Sequence, residues 1–196
     1  ARMDITLKNI SSTVLNNVTI HISSNNPYLA VITGTVTAGN IQPGEEITLN
    51  EAFEMFVSAQ CPDQYSFLPV LEIQSDTILR EGIIPFTTQA PVLAIKNIFV
   101  DDQDNHRIDP GETAELLLTI INEGTSKALS VTGLLTSDDP FITVLTVVPK
   151  PYGNIQPGAY QQNTFTVSAD VSCPISHVAK FDFLIETENG VQVFDS

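Results

Sequence analysis

The chain is predicted to be an all-β protein built from two tandem antiparallel β-sandwiches, and three features of the sequence support this prediction. Short runs rich in β-branched and aromatic residues alternate between apolar and polar positions, which is the pattern of half-buried strands. Clusters of Asn, Asp, Gly and Pro separate these runs at the spacing of about 8–12 residues that is typical of sandwiches. Finally, blocks of the first half of the chain recur in the second half.

Four blocks of sequence recur in the same order and at nearly constant separation, which indicates that one domain was duplicated. The clearest block is the hexapeptide GNIQPG, which occurs unchanged at residues 39–44 and 153–158. The period is far longer than the unit of a solenoid, so each copy is expected to be a complete domain. The other matching pairs are 6–9 with 119–122, 24–31 with 137–144, and 53–62 with 165–174.

The length of 196 residues suits two domains of about 100 residues each. The polar stretch at residues 87–91, Thr-Thr-Gln-Ala-Pro, ends in a proline that interrupts strand pairing, so the domain boundary is expected there. The predicted domains are residues 1–88 and 89–196, each an immunoglobulin-like sandwich. The chain has no Trp, and its two cysteines occupy equivalent positions of the two copies, so the core Trp and the disulfide of antibody domains are not expected.

The first copy is predicted to lack its opening strand. Ala1 aligns with Ala114, and the second copy has an additional strand, Val92 to Val100, before that position. Two explanations are open at this stage: the chain is a piece of a longer protein, or another segment supplies the strand.

The later part of each copy shows the alternation of a strand with a clear inward phase. Segments 115–121, 129–135 and 141–148 of the second copy also have the pattern of strands. The residues expected to point inward are Phe67, Pro69, Leu71 and Ile73 in the first copy and Ala179, Phe181, Phe183 and Ile185 in the second.

Two recurring features predict how strands end. In each Ile-Gln-Pro-Gly segment, the proline presets φ for a tight turn and the glycine permits a positive φ. Asn9 and Asn122, each followed by a loop, are expected to end a strand with hydrogen bonds from the side chain to the backbone.

The net charge of −15 argues against several classes of partner. A surface this acidic cannot neutralise phosphate groups, so nucleic acid binding is not expected. No apolar run approaches the roughly 20 residues of a membrane-spanning helix, so this segment is not expected to insert into a membrane. The strand pattern begins at once at residues 1–4, so any targeting segment is expected to have been removed or to lie upstream.

The acidic stretch from Asp101 to Glu112 is the most suggestive segment of the sequence. Hard cations such as Ca²⁺ bind six to eight oxygen atoms, which alternating acidic and amide side chains can supply. His106 and Arg107 depart from the pattern of a helix-loop-helix calcium loop, and no flanking helices are predicted, so a solvated acidic turn is the alternative. The candidate calcium ligands are Asp101, Asp102, Asp104, Asn105, Asp109 and Glu112.

The cysteines admit two interpretations. Cys173 and His177, separated by three residues, could contribute ligands to zinc or form a nucleophile–base pair. Cys61 holds the equivalent position in the first copy, where Tyr65 replaces the histidine, which favours a structural Cys-Pro feature with free thiols. The sequence contains no other pattern typical of a catalytic centre, so no catalytic residue is assigned.

Several strand and turn signatures occur together in the second copy: Asp109–Glu112, a strand that ends at Asn122–Gly124, the Asp138–Pro140 turn, and GNIQPG. Together they resemble bacterial adhesion-type immunoglobulin-like repeats of the CARDB kind, and the resemblance covers nearly the whole chain, twice. Such repeats occur in large surface and secreted proteins of Gram-negative bacteria, including the C-terminal regions of gingipain-like cysteine peptidases. The resemblance implies an extracytoplasmic location. In the family, the loop before Pro-Gly-Glu often resembles a calcium loop with glycine.

The expected function is that of a non-catalytic module of a larger cell-surface or secreted protein, acting as a spacer, adhesion or protein-docking unit. Its expected partners are a protein or glycan at the cell surface and the remainder of a larger parent chain. Two alternatives are an accessory C-terminal domain of a secreted cysteine peptidase and a carbohydrate-binding module, for which four tyrosines offer few stacking surfaces.

Overall fold

The computed structural model describes residues 1–188 and 190–195, and all of the regular elements in these ranges are β-strands. The predicted all-β fold is therefore confirmed. The chain divides into two compact units, Ala1–Thr88 and Gln89–Ser196. Within the described ranges, no helix is long and apolar enough to cross a membrane.

The first unit is built from two antiparallel sheets and a short ribbon. Its strands are β1 (Arg2–Lys8), β2 (Leu15–Ser23), β3 (Leu29–Thr33), β4 (Thr35–Ile41), β5 (Glu46–Val57), β6 (Ser66–Phe67), β7 (Val70–Gln74), β8 (Leu79–Ile83) and β9 (Phe86–Thr87). One sheet has the order β1-β5-β3, and the other has the order β4-β2-β7-β8. Strands β6 and β9 pair with each other in the ribbon.

The second unit has two antiparallel sheets of four strands each. Its strands are β10 (Leu93–Asp101), β11 (Thr113–Asn122), β12 (Ala128–Thr136), β13 (Ile142–Val144), β14 (Lys150–Ile155), β15 (Tyr160–Ala169), β16 (Asp182–Thr187) and β17 (Gly190–Asp195). The orders are β10-β11-β15-β13 and β14-β12-β16-β17. Both sheets contribute side chains to one buried core, which is the layered arrangement of an immunoglobulin-like sandwich.

The two units differ at the edge of one sheet. Strand β1 pairs with β5, and the described residues place no strand on its other side. The equivalent strand of the second unit, β11, pairs with both β10 and β15. Among the described residues, the first unit thus has no counterpart of β10.

The side chains predicted to point inward do so in both units. Phe67, Pro69, Phe183 and Ile185 are buried. The remaining four are half-buried: Leu71, Ile73, Ala179 and Phe181. This alternation confirms the inward phase of the strands that was read from the sequence.

The two cores distribute their aromatic volume differently. In the second unit the rings of Phe183 and Tyr152 lie so close to Gly133 that an added Cβ would come within 2.5 and 2.8 Å of them. Glycine at this position therefore makes room for two aromatic rings. The register of the strands places Ile20, Ala38 and Leu71 at the corresponding positions of the first unit.

One strand is shorter than the sequence pattern predicted. The alternation continued from Phe141 to Val148, but β13 ends at Val144. The backbone N–H of Thr166 donates to the hydroxyl of Thr146 at 2.9 Å rather than to a backbone carbonyl, so the ladder with β15 ends there. The apolar side chains that follow are exposed: Leu145, Val147 and Val148.

The GNIQPG segments form the same turn in both units. In the first unit the N–H of Glu45 donates to the carbonyl of Gln42 at 3.0 Å, and Gly44 has a φ of 75°. Gly158 repeats this conformation in the second unit, with a φ of 73°. Proline followed by a glycine of positive φ is the arrangement of a type II turn, as the sequence predicted.

A buried asparagine fastens the turn of the second unit to its neighbours. Asn122, which is 0% exposed, donates from Nδ2 to the carbonyls of Ser126 at 2.8 Å and Ile155 at 3.0 Å. Its Oδ1 accepts the backbone N–H groups of Val92 and Gly124, each at 3.1 Å. All of the hydrogen-bonding positions of the amide are therefore used in joining separate segments.

Asn9 does the same in the first unit. Its Nδ2 donates to the carbonyls of Thr13 at 2.8 Å and Ile41 at 2.9 Å, while its Oδ1 accepts from the backbone and the hydroxyl of Ser11. Its backbone carbonyl accepts the N–H of Gly44 at 2.8 Å. The predicted side-chain-to-backbone hydrogen bonds at the ends of these strands are thus confirmed.

Replacing Asn122 with alanine should lower the free energy of unfolding by about 3 kcal/mol, because it leaves buried carbonyl and N–H groups without partners. Urea unfolding followed by circular dichroism measures the change. The matched control is Asn163→Ala, since Asn163 makes one exposed hydrogen bond, to Pro151. A loss at Asn122 no larger than the loss at Asn163 would contradict a structural role for the buried amide.

Candidate functional site

The candidate site lies at the end of the second unit that is opposite the Asn122 turn. Three segments come together there: the acidic loop from β10 to β11, the turn before β13, and residues 170–181 between β15 and β16. The backbone N–H of Gly111 donates to the carbonyl of Ala169 at 3.1 Å, which joins the first and third of these segments. A side-chain contact between Asp139 and His177 joins the second and third.

The acidic loop is organised around one carboxylate, that of Asp102. Its two oxygens accept the backbone N–H groups of Asp104, Asn105, His106 and Arg107 at 2.9–3.4 Å. Partial burial raises the pKa of the Asp102 carboxyl, but these four hydrogen bonds outweigh it and hold the pKa well below its usual range. The charged carboxylate therefore serves as the internal anchor of the loop.

Four of the other five predicted calcium ligands also contact their own loop through their side chains, whereas Asp104 contributes its backbone N–H. Asp101 accepts the N–H of Gln103 at 3.3 Å, and Glu112 accepts the N–H of Asp109 at 3.0 Å. Asn105 turns its amide nitrogen, not its oxygen, toward Asp109, with 2.8 Å between Nδ2 and Oδ2. These hydrogen bonds close the loop without a cation.

His106 occupies the loop position at which a calcium loop has glycine. It adopts a φ of 63°, the left-handed conformation that glycine would adopt more easily. Its ring packs against Phe99, with 4.8 Å between centroids, and its Nδ1 lies 3.2 Å from the carbonyl of Val100. The backbone thus follows the sharp turn despite the substitution.

In the described part of the chain, no three His, Cys, Asp or Glu side chains form a cluster that could hold a metal ion. Asp102 and Asn105 direct their polar atoms into hydrogen bonds of the loop, which is a poor fit to a cation that needs six to eight oxygens. Calcium binding by the acidic loop accordingly stays a prediction from the sequence.

The second contact of the site joins the turn before β13 to the segment 170–181. His177 Nε2 lies 2.7 Å from Asp139 Oδ2, and the imidazole packs edge-on against Phe141, with 5.1 Å between centroids. The backbone N–H of Phe141 lowers the pKa of the Asp139 carboxyl most strongly, and His177 lowers it further. The Asp139 side chain is only 3% exposed. This contact pins residues 170–181 to the sandwich.

The first unit has the same arrangement with uncharged groups. Asn26 Nδ2 donates to the Tyr65 hydroxyl at 3.0 Å, and Tyr65 packs edge-on against Tyr28, with 5.3 Å between centroids. Asparagine and two tyrosines therefore hold the positions of Asp139, Phe141 and His177. The two units thus share the geometry of this contact but form it with different side chains.

Among the described residues, Cys173 and His177, whose spacing allowed a catalytic or zinc-binding pair, make no hydrogen bond with each other. Cys61 is buried and Cys173 is half-buried, and both are free. The Cys173 sulfur lies 3.8 Å from the carbonyl of Pro174, while His177 Nε2 is engaged by Asp139.

A cavity of about 420 Å³ lies beneath this end of the second unit. Its volume is within the range of small-ligand sites. Apolar side chains of both sheets form most of the lining, including Ile98, Leu118 and Leu135, and Cys173, His177 and Ala179 line it from the segment 170–181. The sequence analysis did not identify this cavity. The sequence contained one indication of it: Ala179 aligns with the much larger Phe67, so less volume is filled at this position of the second unit.

The segment beside the cavity also displays apolar side chains to solvent. Val171, Ile175 and Val178 are 81%, 90% and 77% exposed. Three exposed apolar side chains close together in the chain and beside a cavity make this segment a candidate binding surface.

Adding excess Ca²⁺ should leave the melting temperature unchanged relative to a chelator, because the Asp102 oxygens already accept four backbone N–H groups. Differential scanning calorimetry makes the comparison, with Mg²⁺ as the control cation. A stabilisation specific to Ca²⁺ that Asp109→Asn removes would instead establish the calcium site.

Acid should destabilise the second unit through Asp139 and Asp102. Both carboxyls have native pKa values below the usual value of about 4, so their stabilising effect is complete above about pH 4 and is lost as the pH falls through the native pKa. Asp139→Asn introduces the amide that Asn26 has at the equivalent position of the first unit. Because this amide does not titrate, the melting temperature of the variant should fall less between about pH 5 and pH 2 than that of the unaltered chain. Asp138→Asn, at an exposed neighbour, is the control and should behave as the unaltered chain does.

No protein-family model matches the chain, and no curated protein matches it. Solved structures with similarity include the secreted serine protease VesC from Vibrio cholerae, with 13% identity and a TM-score of 0.31 over 99% of this chain and 46% of that one. A protein of unknown function from Porphyromonas gingivalis W83 shows 14% identity and a TM-score of 0.30, over 98% of this chain and 87% of that one. Red sea bream transglutaminase shows 10% identity and a TM-score of 0.32, over 98% of this chain and 28% of that one. This chain thus spans less than half of the protease chain, and none of the three assigns it a family or an activity.

Proposed function

We propose that the chain is a non-catalytic module of a larger extracytoplasmic protein and that it serves chiefly as a protein-docking unit, with spacer and adhesion roles that follow from the same architecture. The observation that carries this proposal is the end of the second unit. There, loops held by internal hydrogen bonds display exposed apolar side chains beside a cavity. The extracytoplasmic location rests on the resemblance to adhesion-type repeats.

The hydrogen bonds accepted by the aspartates at this end favour a docking role over a catalytic one. Asp102, Asp139 and Asp170 each accept backbone N–H groups of their own loops, which fixes those loops in one conformation. Loops that are ordered before binding lose little conformational entropy when a partner arrives. A binding surface on a fixed scaffold is therefore the activity best supported by these contacts.

A carbohydrate-binding role is less well supported, because the tyrosines are engaged. Tyr28 and Tyr65 pack against each other, and Tyr152 is buried at 5% exposure. The ring of Tyr160 is exposed, but the Lys96 ammonium lies 4.0 Å above its centroid. A flat, open aromatic face for stacking on a sugar ring is thus not offered by these four side chains.

The proposal is tested by selecting binders of the full chain from a phage-displayed peptide library, together with a glycan array and a casein-hydrolysis assay. We expect peptides that bind saturably, no signal on the glycan array and no hydrolysis. Selective sugar binding, or hydrolysis that is lost in Cys173→Ala, would overturn it.

A pair of matched variants localises the binding surface. Replacing the three exposed apolar residues beside the cavity with serine should abolish binding of the selected peptides. Replacing the three exposed apolar residues after β13 with serine should leave that binding unchanged. The two sets are Val171, Ile175 and Val178, and Leu145, Val147 and Val148.

A further inference from the structure

The last four residues of the first unit, Pro85–Thr88, form a strap against one end of its sandwich. The strap contains strand β9, which pairs with β6 through Ser66 with Thr87 and Phe67 with Phe86. Among the described residues, β6 and β9 pair with each other and with neither main sheet of the unit. The strap is therefore a separate element that is attached to the sandwich without being part of its sheets.

Two side chains of the strap hold it in place. The ring of Phe86 packs against the buried ring of Phe67, with 5.2 Å between centroids. The hydroxyl of Thr88 donates to the carbonyl of Pro62 at 2.8 Å and accepts the N–H of Tyr65 at 3.1 Å. These hydrogen bonds and the β6–β9 pairing all join the strap to the segment just before β7, so breaking them leaves the ladders of both main sheets intact.

The strap also covers the thiol of Cys61. The Thr88 hydroxyl lies 3.8 Å from the Cys61 sulfur, and Cys61 is 7% exposed. Cys173, at the equivalent position of the second unit, is half-buried, and the second unit as described has no counterpart of the β6–β9 pair. Both sheets of the second unit are nevertheless formed, so a sandwich of this repeat keeps its strand pairing without a strap.

The strap is at the same time the start of the connection between the two units. Thr88 is the last residue of the first unit, and Gln89 is the first residue of the second. Short segments with few buried apolar contacts open locally at a lower free energy than the whole domain unfolds. Release of the strap would add its residues to the connection, which corresponds to about 13 Å of extended chain.

We propose that the strap opens as a local unit while both sheets of the first unit remain formed, and that this opening uncovers Cys61 and lengthens the connection to the second unit. The inference rests on the spacer role proposed above, to which it adds a connection of two lengths. Phe86 and Thr88 hold the closed state through their contacts. The conformational entropy that the released residues gain favours the open state.

The test measures the rate at which iodoacetamide alkylates Cys61 in the full chain as urea is added, with mass spectrometry to distinguish the two cysteines. Local opening exposes little surface, so the rate should change by less than about twofold at urea concentrations below the unfolding transition. A rate that rises with the full urea dependence of global unfolding would show that Cys61 reacts only in the unfolded chain, and the proposal would be wrong.

A disulfide that clamps the strap to β6 tests whether the strap controls the thiol. Ser66→Cys with Thr87→Cys places two cysteines at paired, exposed positions, within the distance that a disulfide spans. In the oxidised variant, Cys61 should be alkylated at least about tenfold more slowly than in the unaltered chain. The matched control is the disulfide from Thr6→Cys with Thr48→Cys, a paired and exposed position in the main sheet, which should leave the rate unchanged.

Two single substitutions separate opening of the strap from loss of global stability. Thr88→Val keeps the shape of the side chain and removes its hydrogen bonds, so Cys61 should be alkylated about tenfold faster. Ile41→Val removes a buried methyl group from β4, which lowers the stability of the whole unit but should leave the rate unchanged.

The outcomes separate this inference from the proposed function. If the clamp leaves the rate at Cys61 unchanged, the thiol reacts without opening of the strap and the inference is overturned. Equal acceleration by Ile41→Val and Thr88→Val would overturn it as well, since the reaction would then follow global stability. These rates report on the first unit, whereas sugar binding or hydrolysis by the full chain would count against the proposed function itself.

Discussion

In each unit, one buried asparagine side chain joins segments that lie far apart in the sequence. Asn9 and Asn122 satisfy two carbonyls and two hydrogen-bond donors each, and their own backbone carbonyls accept the N–H of the glycine in the neighbouring type II turn. An amide buried in an apolar core is costly unless every polar atom has a partner. Because all of them do, the interaction specifies one arrangement of the strands around it, and both copies keep this asparagine beside the same type II turn.

At the opposite end, the two copies use different side chains at equivalent positions. Tyr65 and His177 keep the same place and the same edge-on aromatic contact, yet one hydrogen-bonds to an asparagine and the other to a carboxylate. Phe67 and Ala179 differ in volume, so one copy is filled and the other has a cavity. A core held firmly at one end tolerates such changes at the other, since its strand register is already fixed.

Local chemistry explains which parts of the fold the sequence could predict. Strand phase and the Pro-Gly turns depend on residues near one another in the chain, and the repeat shows each of them twice. The sequence also indicated that Asn122 ends its strand with side-chain hydrogen bonds, but not that two of its partners, Val92 and Ile155, lie 30 and 33 residues away. The early end of β13 depended on the Thr146 hydroxyl meeting the N–H of Thr166 across the sheet, which spacing alone does not show. Likewise, the spacing of the acidic loop could not reveal that Asp102 accepts four backbone N–H groups of its own loop.

Apart from Ala179, the sequence carried no signal of the cavity, because the cavity depends on the volume that several distant side chains leave unfilled. Phe183 packs against Gly133 and Tyr152 and also lines the cavity, where Ala179 is too small to fill the remaining volume. The side chains around an unfilled apolar cavity lose van der Waals contacts, which lowers the stability of the native state. Any ligand that fills it binds the native state alone and must therefore raise that stability. Binding at this end and the stability of the second unit are thus coupled, whereas in the first unit Phe67 occupies the position of Ala179 and is fully buried.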